Sequence, residues 1–236
     1  TPLYSSAASD VYKRQPIRVS VDAVVFGYEA GKLSILLIQR KYDPFKDQWA
    51  LPGGFVLENE SLENAVSREL VEETGVSINY LEQLYTFGNP GRDPRGHVLS
   101  VAYFGLIRPD AFSLLASSDA SNAQWFEMEA LPDLAFDHKI IIEQAFLRLQ
   151  DKITYEPLGF ELLDTKFAFS DLEQLYTTIL GRAIDRRNFR KKFIALNVLD
   201  ELDEKTSKGS GRPASLFQFN EKRYKDLKNK GIVFEI

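Results

Sequence analysis

A chain of 236 residues has room for one large domain or two modest ones, and its 44% apolar content excludes disorder throughout. The absence of cysteine excludes disulfides and thiolate metal sites and fits a reducing, cytoplasmic setting, while no stretch reads as a signal peptide or a membrane span. The net charge of −5 is unevenly spread: residues 1–150 carry 13 Lys and Arg against 20 Asp and Glu, residues 151–236 carry 16 against 14, as expected of two modules with different partners.

Residues 1–15, rich in Ser and Ala, show neither helix nor strand periodicity and read as a disordered tail or an assembly scar. A first domain is expected over 16–150 and a second over 151–236. Segments 17–28 and 33–40 are aliphatic and β-branched and flank Gly31, which predicts a hairpin. A short strand is expected at Trp49–Leu51, before Pro52-Gly53-Gly54. A helix should run from Ser61 to Thr74 and stop at Gly75. Strands are predicted near 76–88 and 97–108 around the loop GNPGRDPRG, then a polar loop over 110–123, a strand at 124–128 and a helix over 137–150 with Ile140, Ile141, Ala145, Phe146 and Leu149 at helical spacing. This alternation predicts an α/β fold with a mixed sheet between helices. Residues 151–160 read as a junction. Beyond it the grammar becomes helix, helix, hairpin: Ser170 and Glu173 have capping-box spacing, Gly181 closes that helix, Asp185 caps the next to about Leu196, and strands are expected at 197–203 and 215–220.

The chemistry is concentrated in GFVLENESLENAVSRELVEETGV, residues 54–76, which fits G-x(5)-E-x(7)-R-E-U-x-E-E-x-G-U, with U aliphatic, at Gly54, Glu60, Arg68, Glu69, Leu70, Glu72, Glu73, Gly75 and Val76. At ordinary residue frequencies chance agreement is roughly one in 10⁸ per starting point, so the match is specific. A solvated acidic helix is the simpler alternative, but its geometry is wrong. With Leu62 at 0° and about 100° per residue, Val66 falls near 40°, and Glu69 and Glu73 fall near −20° and 20°, within the apolar stripe. Carboxylates four apart repel, and acids in the last turn oppose the helix dipole. A hard divalent cation resolves these conflicts, because it neutralises carboxylates and prefers oxygen donors.

These residues are the signature of the Nudix hydrolases, which the chain resembles. The resemblance implies a Nudix α/β/α sandwich with a mixed sheet, Mg²⁺ or Mn²⁺ as cofactor, and attack of water on a nucleoside diphosphate linked to another moiety. It implies Glu69 and Glu73 as ligands, Glu72 assisting and the Gly54 carbonyl nearby, with Arg68 holding the glutamates and Glu60 holding Arg68; Arg68, Glu69, Glu72 and Glu73 form the catalytic set. Members acting on ADP-ribose often carry a glutamate in the loop before the last strand, and RPDAFSLLASSDASNA has none. A box glutamate serves as base, turnover is slow, or the domain only binds its ligand. Arg40, Arg92 and Arg95 are the cations expected to face a diphosphate, since GRDPRGHVLSVAYFGLI is similar to the substrate loop of ADP-ribose-type members. His97 and His138, the two histidines, are expected to be structural.

In DRRNFRKKFIAL, Phe189, Phe193 and Leu196 form a core stripe at i, i+4 and i+7. Arg186, Arg187, Asn188, Arg190 and Lys191 lie largely off it. A helix, a tight turn, this basic helix and a hairpin whose loop carries Lys205, Lys208 and Arg212 make a small winged helix-turn-helix pattern, with the basic helix in a major groove of double-stranded DNA. Together the modules resemble the Nudix-related transcriptional regulators over about residues 17–220, including PGGFV, LAFDH, YEPLGFELL and DRRNFRKK. That resemblance implies a homodimer that binds a nucleotide-sugar or sugar effector, ADP-ribose-like, and no membrane. The rival is a housekeeping ADP-ribose pyrophosphatase whose second module only dimerises.

Overall fold

The computed structural model describes residues 17–78, 80–111, 114, 120–206, 213–231 and 234–235. The tail expected at 1–15 and the loop residues Lys208 and Arg212 lie outside the described residues.

The first two strands, β1 (Arg18–Glu29) and β2 (Lys32–Arg40), pair as the expected hairpin, turned through Ala30 and Gly31 at φ 50° and 81°. With β3 (Trp49–Ala50), β4 (Gly53–Phe55), β5 (Leu81–Phe87), β6 (Val98–Ile107) and β7 (Ala120–Glu127) they form a seven-stranded sheet. It is mixed, because β1 runs parallel to β6 from Arg18 to Gly27 and antiparallel to β2 and β4. Helix α1 (Leu62–Thr74) covers one face and α2 (His138–Tyr155) the other. Alternate residues of β1 serve the two faces: Val21, Ala23 and Val25 pack with Ala65, Val66 and Leu70 of α1, whereas Val24 and Phe26 pack with Ile141, Ala145 and Leu149 of α2. Burial on both sides explains why this strand reads as a nearly continuous apolar run.

The second module contains β8 (Phe167–Ala168), α3 (Phe169–Leu180), α4 (Arg186–Leu196), β9 (Leu199–Thr206), β10 (Ala214–Phe219) and α5 (Glu221–Lys230), its strands ordered β8-β10-β9. Gly181, at φ 62°, turns the chain out of α3, and the Asp185 carboxylate accepts the N–H groups of Arg187 and Asn188 at the start of α4. These two bonds give donors of the first turn of α4 a partner that the helix itself does not supply.

Local readings are corrected in several places, among them the polar loop expected over 110–123, in which β7 already begins at Ala120. The strand expected near 76–88 begins only at Leu81, the buried Val76 preceding it in a loop. Helix α2 continues to Tyr155, into the segment read as a junction, because its apolar period continues: Leu149 and Ile153 belong to the same buried cluster as Leu172 and Tyr176 of α3. Helix α3 starts at Phe169, so Ser170 lies within its first turn, and the Asp171 carboxylate caps it by accepting the Ala168 N–H at 2.9 Å. Helix α5 was not foreseen, since its segment EKRYKDLKNK offers only Tyr224 and Leu227 to the core.

Both modules therefore share one apolar core. A polar cluster closes the joint at the last turn of α2, where Lys152 Nζ bonds to Glu82 and lies 3.1 Å from Glu156. The Glu156 carboxylate also accepts from the Tyr224 hydroxyl at 2.6 Å and from Lys228 Nζ at 2.9 Å, both on α5. Burial raises the pKa of Glu156, but these three donors outweigh it and hold it below the usual value.

Candidate functional site: a cavity of mixed charge and an exposed basic helix

Ser61 begins α1 by accepting the Asn64 N–H at 3.2 Å, and Gly75, at φ 74°, ends it. Between these caps the helix presents Glu69 and Glu73 to a cavity of about 330 Å³. Glu73 is 4% exposed and its Oε2 accepts the Gly53 N–H at 2.8 Å, which ties α1 to β4. Glu69 lies against Gly54, where a Cβ would meet its Oε1 at 2.2 Å, so only glycine lets this backbone approach the carboxylate.

Arg68 organises the outer edge of the box. Its Nε and Nη2 donate to the two Glu60 oxygens at 2.8 and 2.9 Å, Nη2 also reaches the Phe55 carbonyl at 3.2 Å, and Nη1 donates to Glu69 Oε1 at 2.7 Å. The Arg68 guanidinium and then the Leu57 N–H hold the Glu60 carboxyl down at about 2. The expected chain from Glu60 through Arg68 to Glu69 is present. Glu72 is placed differently from the other two glutamates: its carboxylate, 49% exposed, turns to Arg68 at 3.3 Å and does not line the cavity. Among the described residues no three His, Cys, Asp or Glu side chains converge as a metal cluster. The donors that fit a hard cation are the carboxylates Glu69 and Glu73 beside the Gly54 backbone, since they are oxygen donors with negative charge in one cavity.

The same cavity is lined by Arg40, Arg92 and Arg95, all three cations singled out in the sequence. They are not equivalent. Arg92 has a side chain only 4% exposed; its Nε and Nη2 donate to Asp137 at 2.9 and 2.6 Å, and Nη2 lies 3.5 Å from Asp22. Burial pulls its pKa down, but the Asp137 bonds and the Asp22 charge push it higher still, so it is a fixed, largely buried cation at the cavity lining. Arg95 is 38% exposed, bonds Asp93 at 2.7 Å and stacks over Phe55 at 5.0 Å. Arg40 donates to the Pro44 carbonyl at 2.8 Å from the end of β2.

His138 lines the cavity floor, where its Nδ1 accepts the Leu51 N–H at 2.8 Å. Burial pushes its pKa down, so it stands as a neutral structural acceptor, as expected. His97 reaches the Gly88 carbonyl at 3.4 Å, away from this cavity. Sequence reading missed Asp22, Asp93, Phe136 and Asp137 as site residues. Phe136 and Asp137 belong to LAFDH, and a Phe-Asp pair immediately before a helix was the available signal. Asp22 had none, being one polar residue in a β run, although Ser100 and Arg92 both meet it.

In the second module Phe189 and Phe193 are buried, and Arg186, Arg187, Asn188 and Lys191 are exposed on α4. Arg186, 83% exposed, lies 3.8 Å from Glu173. Arg190 is different: its guanidinium stacks over Phe169 at 4.6 Å and Phe217 at 5.5 Å, joining α4 to α3 and β10. Lys205 lies near the end of β9.

Residues 16–145 match the family described as NUDIX domain, and residues 159–219 match the one described as NrtR DNA-binding winged helix domain. A relative from Acinetobacter baylyi, the ADPR responsive transcriptional repressor NtrR, is 40% identical over 205 residues, covering 85% of this chain and 81% of that protein. The crystal structure of Shewanella oneidensis NrtR complexed with a 27mer DNA superposes with a TM-score of 0.77 at 35% identity, covering 88% of this chain and 95% of that one. The Nudix domain of the same Shewanella oneidensis protein, complexed with ADP ribose, matches with a TM-score of 0.53 at 38% identity, covering 61% of this chain and 99% of that one. Two matched domains in this order, and a relative aligned along most of its length, place the chain in the Nudix family, among the NrtR transcriptional regulators that join a Nudix domain to a winged helix.

Proposed function

We propose that this chain is a homodimeric, cytoplasmic regulator whose Nudix domain binds ADP-ribose, or a closely similar nucleotide, and whose winged helix binds double-stranded DNA. The observation that carries the reading is one cavity lined both by the carboxylates Glu69 and Glu73 and by the cations Arg40, Arg92 and Arg95. A diphosphate needs both, a divalent ion shared with carboxylates and guanidinium groups in hydrogen-bond contact. In this reading Mg²⁺ or Mn²⁺ is held by Glu69, Glu73 and the Gly54 carbonyl, with Glu72 assisting through Arg68. When bound, such an ion lowers the pKa of water and offsets charge on phosphoryl oxygens.

In the second module, Arg186, Arg187, Asn188 and Lys191 supply base-edge and phosphate contacts, Arg190 supports the helix from its stacked position, and Lys208 and Arg212 add charge for an adjacent DNA backbone. Homodimerisation is the arrangement that reads a two-fold symmetric operator. Among the described residues no helix is long and apolar enough to cross a membrane.

The intact box favours a second activity in the same site, slow hydrolysis of the bound nucleotide, with the general base among the box glutamates. Calorimetric titration with ADP-ribose, with and without Mg²⁺, followed by assay for AMP, tests both. Saturable, Mg²⁺-enhanced binding is expected. No binding at millimolar ADP-ribose would overturn the nucleotide reading, whereas binding without AMP release would remove only the hydrolase reading.

A further inference from the structure

Consecutive residues of one turn touch all three cavity arginines, adding to the bonds that Arg95 makes with Asp93 and Arg40 with Pro44. Phe136 has φ 54°, in the left-handed region that a bulky L-residue rarely occupies. Its ring meets the Arg40 guanidinium at 4.9 Å and the Arg95 guanidinium at 5.7 Å. Phe45 braces the ring edge-on at 4.7 Å, and His138 lies 5.2 Å away. The next residue, Asp137, takes Arg92 through two bonds. A backbone strained at a site residue is retained where the surroundings over-determine it.

Two guanidinium groups around one ring repel each other, and exposed arginines ordinarily separate into solvent. An aromatic face compensates part of that repulsion and leaves in-plane N–H groups uncovered by the ring. We propose that Phe136 is a positioning residue for anion recognition: its ring draws Arg40 and Arg95 together at the cavity wall, so that they meet the two phosphates of a diphosphate already converged. The inference rests on the reading that this cavity takes a diphosphate-linked nucleotide. It adds a selectivity, because a converged pair rewards two linked phosphates more than one.

The test compares ADP-ribose and AMP binding by the full chain, as wild type, Phe136→Leu, Phe136→Tyr, Arg95→Ala, and Phe136→Leu with Arg95→Ala. Loss of two ring–cation contacts predicts about tenfold weaker ADP-ribose binding in Phe136→Leu. AMP affinity should change far less, and Phe136→Tyr, which keeps the ring, should restore nearly wild-type affinity. In the Arg95→Ala background Phe136→Leu should cost clearly less, since its effect passes through the arginines. If folded Phe136→Leu binds ADP-ribose as wild type does, or if Phe136→Tyr loses as much as Phe136→Leu, the positioning role is wrong while the nucleotide reading stands. If AMP weakens as much as ADP-ribose, the diphosphate selectivity is wrong. If wild type binds no ADP-ribose, the nucleotide reading falls and takes this inference with it.

Discussion

Arg92→Ala should damage stability before it damages ligand binding. The Arg92 side chain is 4% exposed, makes bonds of 2.9 and 2.6 Å to Asp137 and lies 3.5 Å from Asp22. Truncation leaves two carboxylates in a buried setting without their shared cation, and breaking a buried ion pair from one side costs about 3–5 kcal/mol. For a chain of this size each kcal/mol lowers the unfolding midpoint by roughly 2–4 °C, so a fall of about 6–20 °C is expected. Arg92→Lys should recover only part of the loss, because an ammonium cannot reproduce the two-pronged contact. Arg95→Ala is the contrast: Arg95 is 38% exposed, and its backbone N–H keeps its own bond to Asp93 at 2.9 Å. Its cost should lie near 1 kcal/mol, while nucleotide affinity falls. Urea unfolding of the three variants makes the comparison. If Arg92→Ala costs less than about 1 kcal/mol, the argument that Arg92 is a buried structural cation is refuted.

Gly54→Ala should fold nearly as well as wild type but bind Mn²⁺ more weakly, since its Cβ would lie 2.2 Å from Glu69 Oε1 and that flexible carboxylate must move; calorimetric Mn²⁺ titration reads this, and unchanged affinity would show that Glu69 is not a ligand. Glu73→Gln should weaken the metal too while keeping its bond from the Gly53 N–H through the amide oxygen, so a folded variant with full metal affinity would remove Glu73 from the site. Stability should decline on acidification in two stages. His138 is held neutral, so below about pH 6.5 the unfolded chain takes up a proton that the folded chain refuses. Glu60, held down at about 2, stabilises fully above its ordinary 4.5 and loses that contribution as pH falls towards 2. Glu156, also lowered, adds in the same direction, and a midpoint that stays flat from pH 7 to 3 would contradict these assignments. Arg187→Ala should weaken DNA binding and reduce the log–log salt slope by about 0.9, leaving ADP-ribose affinity intact; an unchanged slope would place Arg187 off the DNA.

The legible parts of this protein are those governed by local rules. The box spacing placed Glu69 and Glu73 on one helix face, and both line the cavity. Gly75 and Gly181 marked helix ends, and the Phe189–Phe193 spacing gave the buried stripe of α4. What escaped depended on tertiary partners. Arg92 and Arg95 looked alike in GRDPRG, but Asp137, 45 residues away, turns the first into a buried cation. Arg190 was grouped with the DNA-facing residues of the basic helix, and its stacking on Phe169 and Phe217 shows only in the folded chain. Helix α5 was hidden because its few apolar positions gain meaning only from the Glu156 and α2 surface against which Tyr224 packs.

The central claim, that one chain couples a nucleotide site to a DNA-reading helix, is tested most directly by linkage. Genomic-fragment selection at moderate salt would supply the duplex, and fluorescence anisotropy would measure its affinity with and without saturating ADP-ribose. The account predicts a shared pseudo-palindromic sequence whose affinity shifts roughly 5–150-fold with ADP-ribose, and an equal shift in ADP-ribose affinity when that DNA is saturating. Equal, weak binding to all duplexes, or a specific affinity indifferent to ADP-ribose, would contradict it.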